Sequence, residues 1–309
     1  MIIIQKGKSQ LGTSPEKRSM EDRLKYGIVV IDKPQGPSSH EVSAFSRKIL
    51  KLDVTGHTGT LDQNVSGVLV VLLENSRKVV NFLPNTDKKY VCMMRLSREI
   101  PIIPLEKTFE NFRGEIYQKP PLLSAVAKKL RTRKVFSLNI LEVRGNLVLF
   151  DCECEAGTYI RKIVSDAAEV MGVKAEMAEL RRIKAGEFLE KDAITLQTLS
   201  DYYFAWKEKG DASFLEKAVF PVESLKFKKI VLDDESIIKL KSGVKPKVSD
   251  VLQIEEGILP KEICGLFTEK GELAAISENL LSSSEVKHLF ELGKTSESVA
   301  NIVRVIHPF

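Results

Sequence analysis

No run of apolar residues in this 309-residue sequence approaches the roughly 20 that a helix needs to cross a bilayer. The amino terminus holds only an Ile2-Ile3-Ile4 cluster before polar residues, too short for the core of a secretion signal. Cysteine is scarce, at four residues (Cys92, Cys152, Cys154, Cys264). Cys152 and Cys154 alternate on a predicted strand, and no second pair or His-rich partner completes a zinc site. Clustered carboxylates or histidines, which a metal-dependent nuclease would need, are missing too. Internal repeats and low-complexity segments are absent. A hydrophobic fraction of 43% and a charged fraction of 29% are those of a folded chain. The expectation is a soluble cytoplasmic protein with buried, reduced thiols and no metal.

Positive charge is unevenly spread. Residues 226–309 carry 12 Lys/Arg against 13 Asp/Glu, so the first 225 residues hold 35 against 29, a net +6. Lys128, Lys129, Arg131, Arg133 and Lys134 place five cations in seven residues. Such a run can neutralise phosphates and grip nucleic acid in a salt-dependent way, although most basic runs are solvated faces.

The first 25 residues read as a polar arm. Tyr26 to Asp32 is a short apolar run that suits a buried strand, broken by Lys33-Pro34-Gln35-Gly36-Pro37. Ser38 and Glu41 then form a capping box, before a helix with Val42, Phe45 and Ile49 on one face. Further strands are expected at 68–73, 90–96, 135–143 and 147–154, the last two joined by Arg144-Gly145-Asn146. Helices are expected near 75–83 and 105–112, and from Ile160 to Met171, with Gly172 as the stop. Strands and helices mix without a βαβ beat, which predicts an α+β fold around a mainly antiparallel mixed sheet. Near residues 221–229 the character changes, and the last 84 residues alternate short strands in the manner of a small β-rich domain. The expected organisation is an arm (1–25), a main domain (26–225) and a small domain (226–309).

The segment Gly56-His57-Thr58-Gly59-Thr60-Leu61-Asp62-Gln63-Asn64-Val65-Ser66-Gly67 surrounds one carboxylate with three glycines and three small hydroxyl residues. It is neither a dinucleotide fingerprint nor a P-loop. Its glycines can admit special dihedrals or the close approach of a ligand.

That segment resembles the catalytic motif of the TruB/dyskerin pseudouridine synthases, Gly-His-x-Gly-x-Leu-Asp-Pro followed by a Gly. Lys33-Pro34 with Gly36-Pro37-Ser38-Ser39-His40 resembles the first motif of that family, and Lys89-Tyr90-Val91 its Lys/Arg-Tyr segment. Gly157-Thr158-Tyr159-Ile160-Arg161 and Leu180-Arg181-Arg182 match two more, in family order. Residues 118–126 and 130–135, with the short stretch between Leu96 and Glu115, are similar to the archaeal and eukaryotic dyskerin branch. The carboxy-terminal part resembles a PUA domain, a small RNA-binding β-barrel. One departure is plain: Gln63 stands where the family has Pro.

The resemblance implies isomerisation of uridine to pseudouridine in rRNA or tRNA, with no cofactor. It gives Asp62 the catalytic role, Arg161 the role of keeping Asp62 ionised in a closed, water-poor pocket, and Tyr90 a face against the flipped nucleotide. Leu180 would wall the pocket, Lys33 would support the motif loops, and His57 would touch RNA or order the loop. The implied partners are an H/ACA guide RNA and small accessory proteins, one zinc-binding and one Gly/Arg-rich. A guide-free tRNA-loop synthase and a non-catalytic RNA-binding scaffold are the alternatives.

Overall fold

The computed structural model describes residues 1–7, 9–83, 86–119 and 129–309. Lys128, Pro84 and most of the 118–126 motif lie outside the described residues.

Two sheets organise the chain. Among the described residues the larger has ten strands, eight of them in the order Val219–Pro221, Gly27–Lys33, Ser66–Leu73, Ala175–Ala185, Lys88–Leu96, Leu147–Cys154, Arg131–Arg144, Gly114–Gln118. All its neighbouring strands run antiparallel except Ser66–Leu73 with Ala175–Ala185. The smaller sheet has six strands, among them Lys229–Leu232, Val251–Ile254, Ile263–Phe267, Leu273–Asn279 and Ala300–Val305. Its sixth strand is Ile2–Ile3, paired with Gln253 and Ile254. The arm therefore completes the carboxy-terminal sheet, and it ends in a helix, Met20–Lys25.

Strands Gly27–Lys33 and Ser66–Leu73 are almost continuously apolar because both of their faces are covered. Side chains alternate across a strand. Val29, Ile31, Leu69, Val71 and Leu73 pack with Val42, Leu199 and Leu215 on the helical side. Ile28, Val30, Val68, Val70 and Leu72 belong to a cluster that continues into Phe267, Leu273 and Ile276 of the small sheet and into Ile306 just after its last strand. Strand Leu147–Cys154, in the other half, buries every second residue. There Cys92, Met94, Phe150, Cys152 and Cys154 face Phe109, Ile163 and Ala167. All four thiols are buried and free, and burial raises those of Cys92 and Cys264 to about 12.

Helix Ser39–Ile49 starts at the expected capping box: Ser38 Oγ accepts from the Glu41 amide at 3.2 Å, and the Glu41 carboxylate accepts from the Ser38 amide at 2.8 Å. Val42 faces the core, but Phe45 is 41% exposed and lies off the buried stripe. The segment expected as a helix near 75–83 is a 3-10 turn run, Glu74–Phe82. Strand Arg131–Arg144 begins earlier than expected and takes in part of the basic run, because pairing with Gly114–Gln118 satisfies its backbone.

At the junction of arm, main domain and small sheet, the Arg18 guanidinium is bidentate to Glu223 (2.8 and 3.0 Å) and also donates to Glu272 at 3.3 Å. The His307 ring lies between Tyr26 and Phe309 beside this network, tilted by 54° and 56° to theirs. Burial, helped by the Arg18 charge, lowers the His307 pKa to about 4.

Candidate active site

The Asp-bearing loop is held by main-chain ties. Ser39 Oγ donates to the Leu61 carbonyl at 2.9 Å and accepts from the Leu61 amide at 2.8 Å. Lys33, with no exposed surface, donates from Nζ to the carbonyls of Pro34 (2.9 Å), Gln63 (3.2 Å) and Val65 (2.7 Å). The Gly36 amide also donates to the Gln63 carbonyl, at 3.0 Å. Gln63 thus serves the loop through its carbonyl, which a proline offers equally, while the residue itself is exposed. The departure from the family pattern leaves these ties intact. Leu61 and Val65 anchor the loop in the apolar core, so Asp62 between them points outward.

Asp62 opens onto a cleft of about 460 Å³, whose lining includes Tyr90, Arg161 and Leu180. Four residues distant in sequence are thereby brought together. Arg161 donates from Nη2 to the Asp62 carboxylate. It is the second residue of helix Ile160–Val170, whose amino-terminal end borders the cleft and adds a favourable dipole for an anion. Gln118, only 3% exposed, fixes that helix start by accepting from the Tyr159 amide (2.9 Å) and donating to the Tyr159 carbonyl (3.1 Å). The Asp62 and Arg161 side chains are 63% and 48% exposed. The water-poor pocket expected around Asp62 is therefore not formed by this chain alone. An ion pair so exposed contributes about 0–1 kcal/mol to stability, so it is a device for geometry.

Tyr90 comes from strand Lys88–Leu96, opposite Cys152 on one side and Arg182 on the other. Burial raises its phenol pKa, and the Arg182 cation opposes that rise. Lys88, two residues before it, donates to the Thr86 carbonyl (2.8 Å) and hydroxyl (2.6 Å). Burial and then the Arg182 charge lower its pKa to about 8.

The remaining sequence-derived residues lie elsewhere. Lys33 is sealed behind the loop and cannot touch a substrate, although it does tie the motif loops together. His57 sits on strand Thr55–Thr58 outside the cleft lining, its Nε2 at 3.4 Å from Thr60 Oγ1. Burial, and then the charges of His40 and Arg182, lower its pKa. In the basic run, Lys129 and Lys134 are exposed, whereas Arg131 and Arg133 are half-buried. The Arg133 guanidinium packs over Gly157, where an added Cβ would lie 3.3 Å from it. The run is thus not one uniform cationic face, because strand alternation splits it.

Tyr159, Lys88 and Arg182 line the cleft without having been given a role in the sequence reading. Tyr159 and Arg182 stand inside the quoted motifs, so their signal was present. Lys88 and the burial of Arg182 had none, because both depend on strands far apart in sequence.

The chain is similar to known proteins in sequence and fold. Residues 47–102 match the TruB family pseudouridylate synthase (N terminal domain), residues 161–226 the tRNA pseudouridylate synthase B C-terminal domain, and residues 5–43 the DKCLD (NUC011) domain. A probable tRNA pseudouridine synthase B of Methanocaldococcus jannaschii is 43% identical over 277 residues, 89% of this chain and 82% of that protein. Among solved structures, a chain of a Cbf5-Nop10-Gar1 complex superposes with a TM-score of 0.91 at 38% identity, over 99% of this chain and 94% of that one. A chain of an H/ACA RNP bound to a substrate RNA containing 2′-deoxyuridine does so with a TM-score of 0.90 at 36% identity, again over 99% and 94%. Identity at this level along nearly the whole length, over the same fold, means that the chain belongs to the TruB family of pseudouridine synthases.

Proposed function

We propose that this chain is a cytoplasmic RNA pseudouridine synthase that uses Asp62 as its catalytic carboxylate and works as the catalytic subunit of an H/ACA-type ribonucleoprotein. The observation that carries the reading is the Asp62–Arg161 pair on one cleft with Tyr90 and Leu180. The reaction breaks N1–C1′, turns the uracil and joins C5 to C1′; C5 then loses its proton and N1 ends carrying one, so the product is an isomer. No electron or group is gained, so the chemistry calls only for a carboxylate and proton traffic. Two routes reach the product, attack of Asp62 on C1′ or proton removal that forms a glycal, and both begin with ionised Asp62. Arg161 supports that charge, Tyr90 faces the flipped nucleotide, and Leu180 walls the base. Because Asp62 is open to water in the free chain, bound RNA would supply the cover.

Asp62→Asn should abolish isomerisation while leaving RNA affinity and thermal unfolding within about twofold and a few degrees of wild type. Substantial turnover by that variant, measured as pseudouridine formed per RNA, would end the assignment. Binding of RNA is assigned to Lys128, Lys129, Arg131, Arg133 and Lys134 and to residues 226–309 as a PUA-like module. Replacing Arg131 and Arg133 with Gln should flatten the plot of log affinity against log salt by roughly one to two units. An unchanged slope would make the run ordinary surface.

The guide-dependent mode follows from the likeness to Cbf5 chains that assemble with Nop10 and Gar1 and act within an H/ACA particle. A second mode, guide-free action on tRNA, is favoured by the name of the curated relative. Purified chain given tRNA alone, and then guide RNA with the accessory proteins, separates the two.

A further inference from the structure

Arg182 is the bulkiest fully buried side chain among the described residues, at 1% exposure. Its neighbour Arg181 shows how a guanidinium is ordinarily kept: two bonds to Asp32 (2.9 and 3.0 Å), one to Glu190 (2.5 Å), and the side chain 35% exposed. Among the described residues no ion pair involves Arg182. Its Nε donates to the Val68 carbonyl at 2.8 Å, and its Nη2 is buried without a hydrogen-bond partner. A buried cation without a counter-charge costs several kcal/mol, and apolar residues of similar volume often serve stability as well or better. Folding alone does not explain this residue.

Its surroundings do. The main chain of Arg182 lies opposite Gly67 in the parallel pairing and opposite Tyr90 in the antiparallel one. A Cβ on Gly67 would sit 2.2 Å from the Arg182 carbonyl oxygen, so only glycine allows this approach. A Cβ on Gly59 would sit 3.3 Å from Arg182 Nη1 and 3.5 Å from Lys88 Cε. Both glycines have positive φ, +66° and +104°. The two glycines that flank Asp62 therefore rest on one residue, Gly67 on its backbone and Gly59 on its guanidinium. The same guanidinium lies beside the Tyr90 phenol and lines the cleft.

We propose that Arg182 is a positioning residue for the isomerisation: its buried guanidinium holds the Gly59–Asp62 loop against the Tyr90 strand so that carboxylate and phenol address the same nucleotide. This rests on the assignment of Asp62 and Tyr90 given above. The role proposed for Arg182 acts through them. Arg182 also supplies positive charge directly behind the phenol, which an apolar brace of the same shape would lack.

The test uses full-length Arg182→Met, which keeps length without charge, and Arg182→Lys, which keeps charge without the planar fork. Under the same assay conditions as the wild type, single-turnover rates at saturating RNA should fall about 10- to 100-fold in Arg182→Met, with RNA affinity within about twofold. Arg182→Lys should recover part of that loss. The ultraviolet titration of Tyr90, taken as the difference from Tyr90→Phe, should move to higher pH in Arg182→Met and stay near wild type in Arg182→Lys. A merely structural role would leave that midpoint in place. Wild-type rates in Arg182→Met, beside an inactive Asp62→Asn, would overturn the proposal; so would an unmoved phenol titration. An active Asp62→Asn would instead overturn the site assignment, and the phenol titration would still judge the contact between Arg182 and Tyr90.

Discussion

The two halves of the large sheet solve burial differently. In the half built on Gly27–Lys33 and Ser66–Leu73, both faces are covered, one by helices and the other by the carboxy-terminal sheet. In the half built on Lys88–Leu96 and Leu147–Cys154, helices Ile102–Asn111 and Ile160–Val170 cover one face, and the other carries ion pairs such as Lys89–Asp151 and Lys184–Glu153. The halves meet at Ser66↔Arg181 and Gly67↔Arg182, the whole extent of their parallel pairing. The Asp62 loop ends at that seam. A rigid, doubly covered half can hold Asp62, while the half with an open face carries Tyr90, Leu180 and the strand that leads to Arg161. The seam brings the two sets together.

The greatest effect should come from uncovering the first half. Deleting residues 226–309 removes the cover that Phe267, Leu273, Ile276 and Ile306 give to Ile28, Val30, Val68, Val70 and Leu72. Each such side chain loses roughly 1.5–3 kcal/mol when fully exposed, and the total stability of a domain is only about 5–15 kcal/mol. Circular dichroism of the truncated chain should show no cooperative unfolding. A transition like that of the full chain would break the comparison.

Next in size is a matched pair of substitutions. Leu72→Ala, at a position with no exposed surface, should cost about 2–5 kcal/mol. Leu149→Ala, on the open side of the other half, should cost below about 1 kcal/mol. Denaturant midpoints at constant m-value measure both, and equal losses would mean that the second face of that half is also core.

The smallest effect concerns the junction and depends on pH. Folded His307 has its pKa lowered to about 4, against about 6.5 in an unfolded chain. Between these values the unfolded state binds the extra proton, so the stabilising contribution is full above pH 6.5 and is lost as pH falls toward 4. The loss is at most about 3 kcal/mol. Glu272, whose carboxyl pKa is raised by burial, titrates with the opposite sign, so the difference between wild type and His307→Phe is the quantity to follow. That difference should shrink on acidification from pH 7 to 5; a constant difference would place His307 in water in solution.

Much of this was legible before any coordinates. Ser38 and Glu41 mark a helix start through their own hydrogen-bonding reach, and the structure has that capping box. Arg144-Gly145-Asn146 marks a hairpin turn because Gly145 takes a positive φ. In the basic run Lys129 and Lys134 are exposed while Arg131 and Arg133 are half-buried, with Arg133 packed over Gly157, a division that composition does not show. Phe45 misled, since a stripe drawn from spacing does not say how wide the covering surface is.

By itself the sequence determined what is local: the apolar runs that become strands, the caps, and the Gly-rich stretch around Asp62 with its family motifs. These depend on dihedral preference and on side-chain period within a few residues. Only the tertiary structure decided that Ile2 pairs with Ile254, that Arg18 reaches Glu223 and Glu272, and that Arg182 underlies both glycines that flank Asp62. Each of these joins residues scores of positions apart. Such partners are chosen by the competition among all segments for buried area and for satisfied polar groups, which no local pattern encodes.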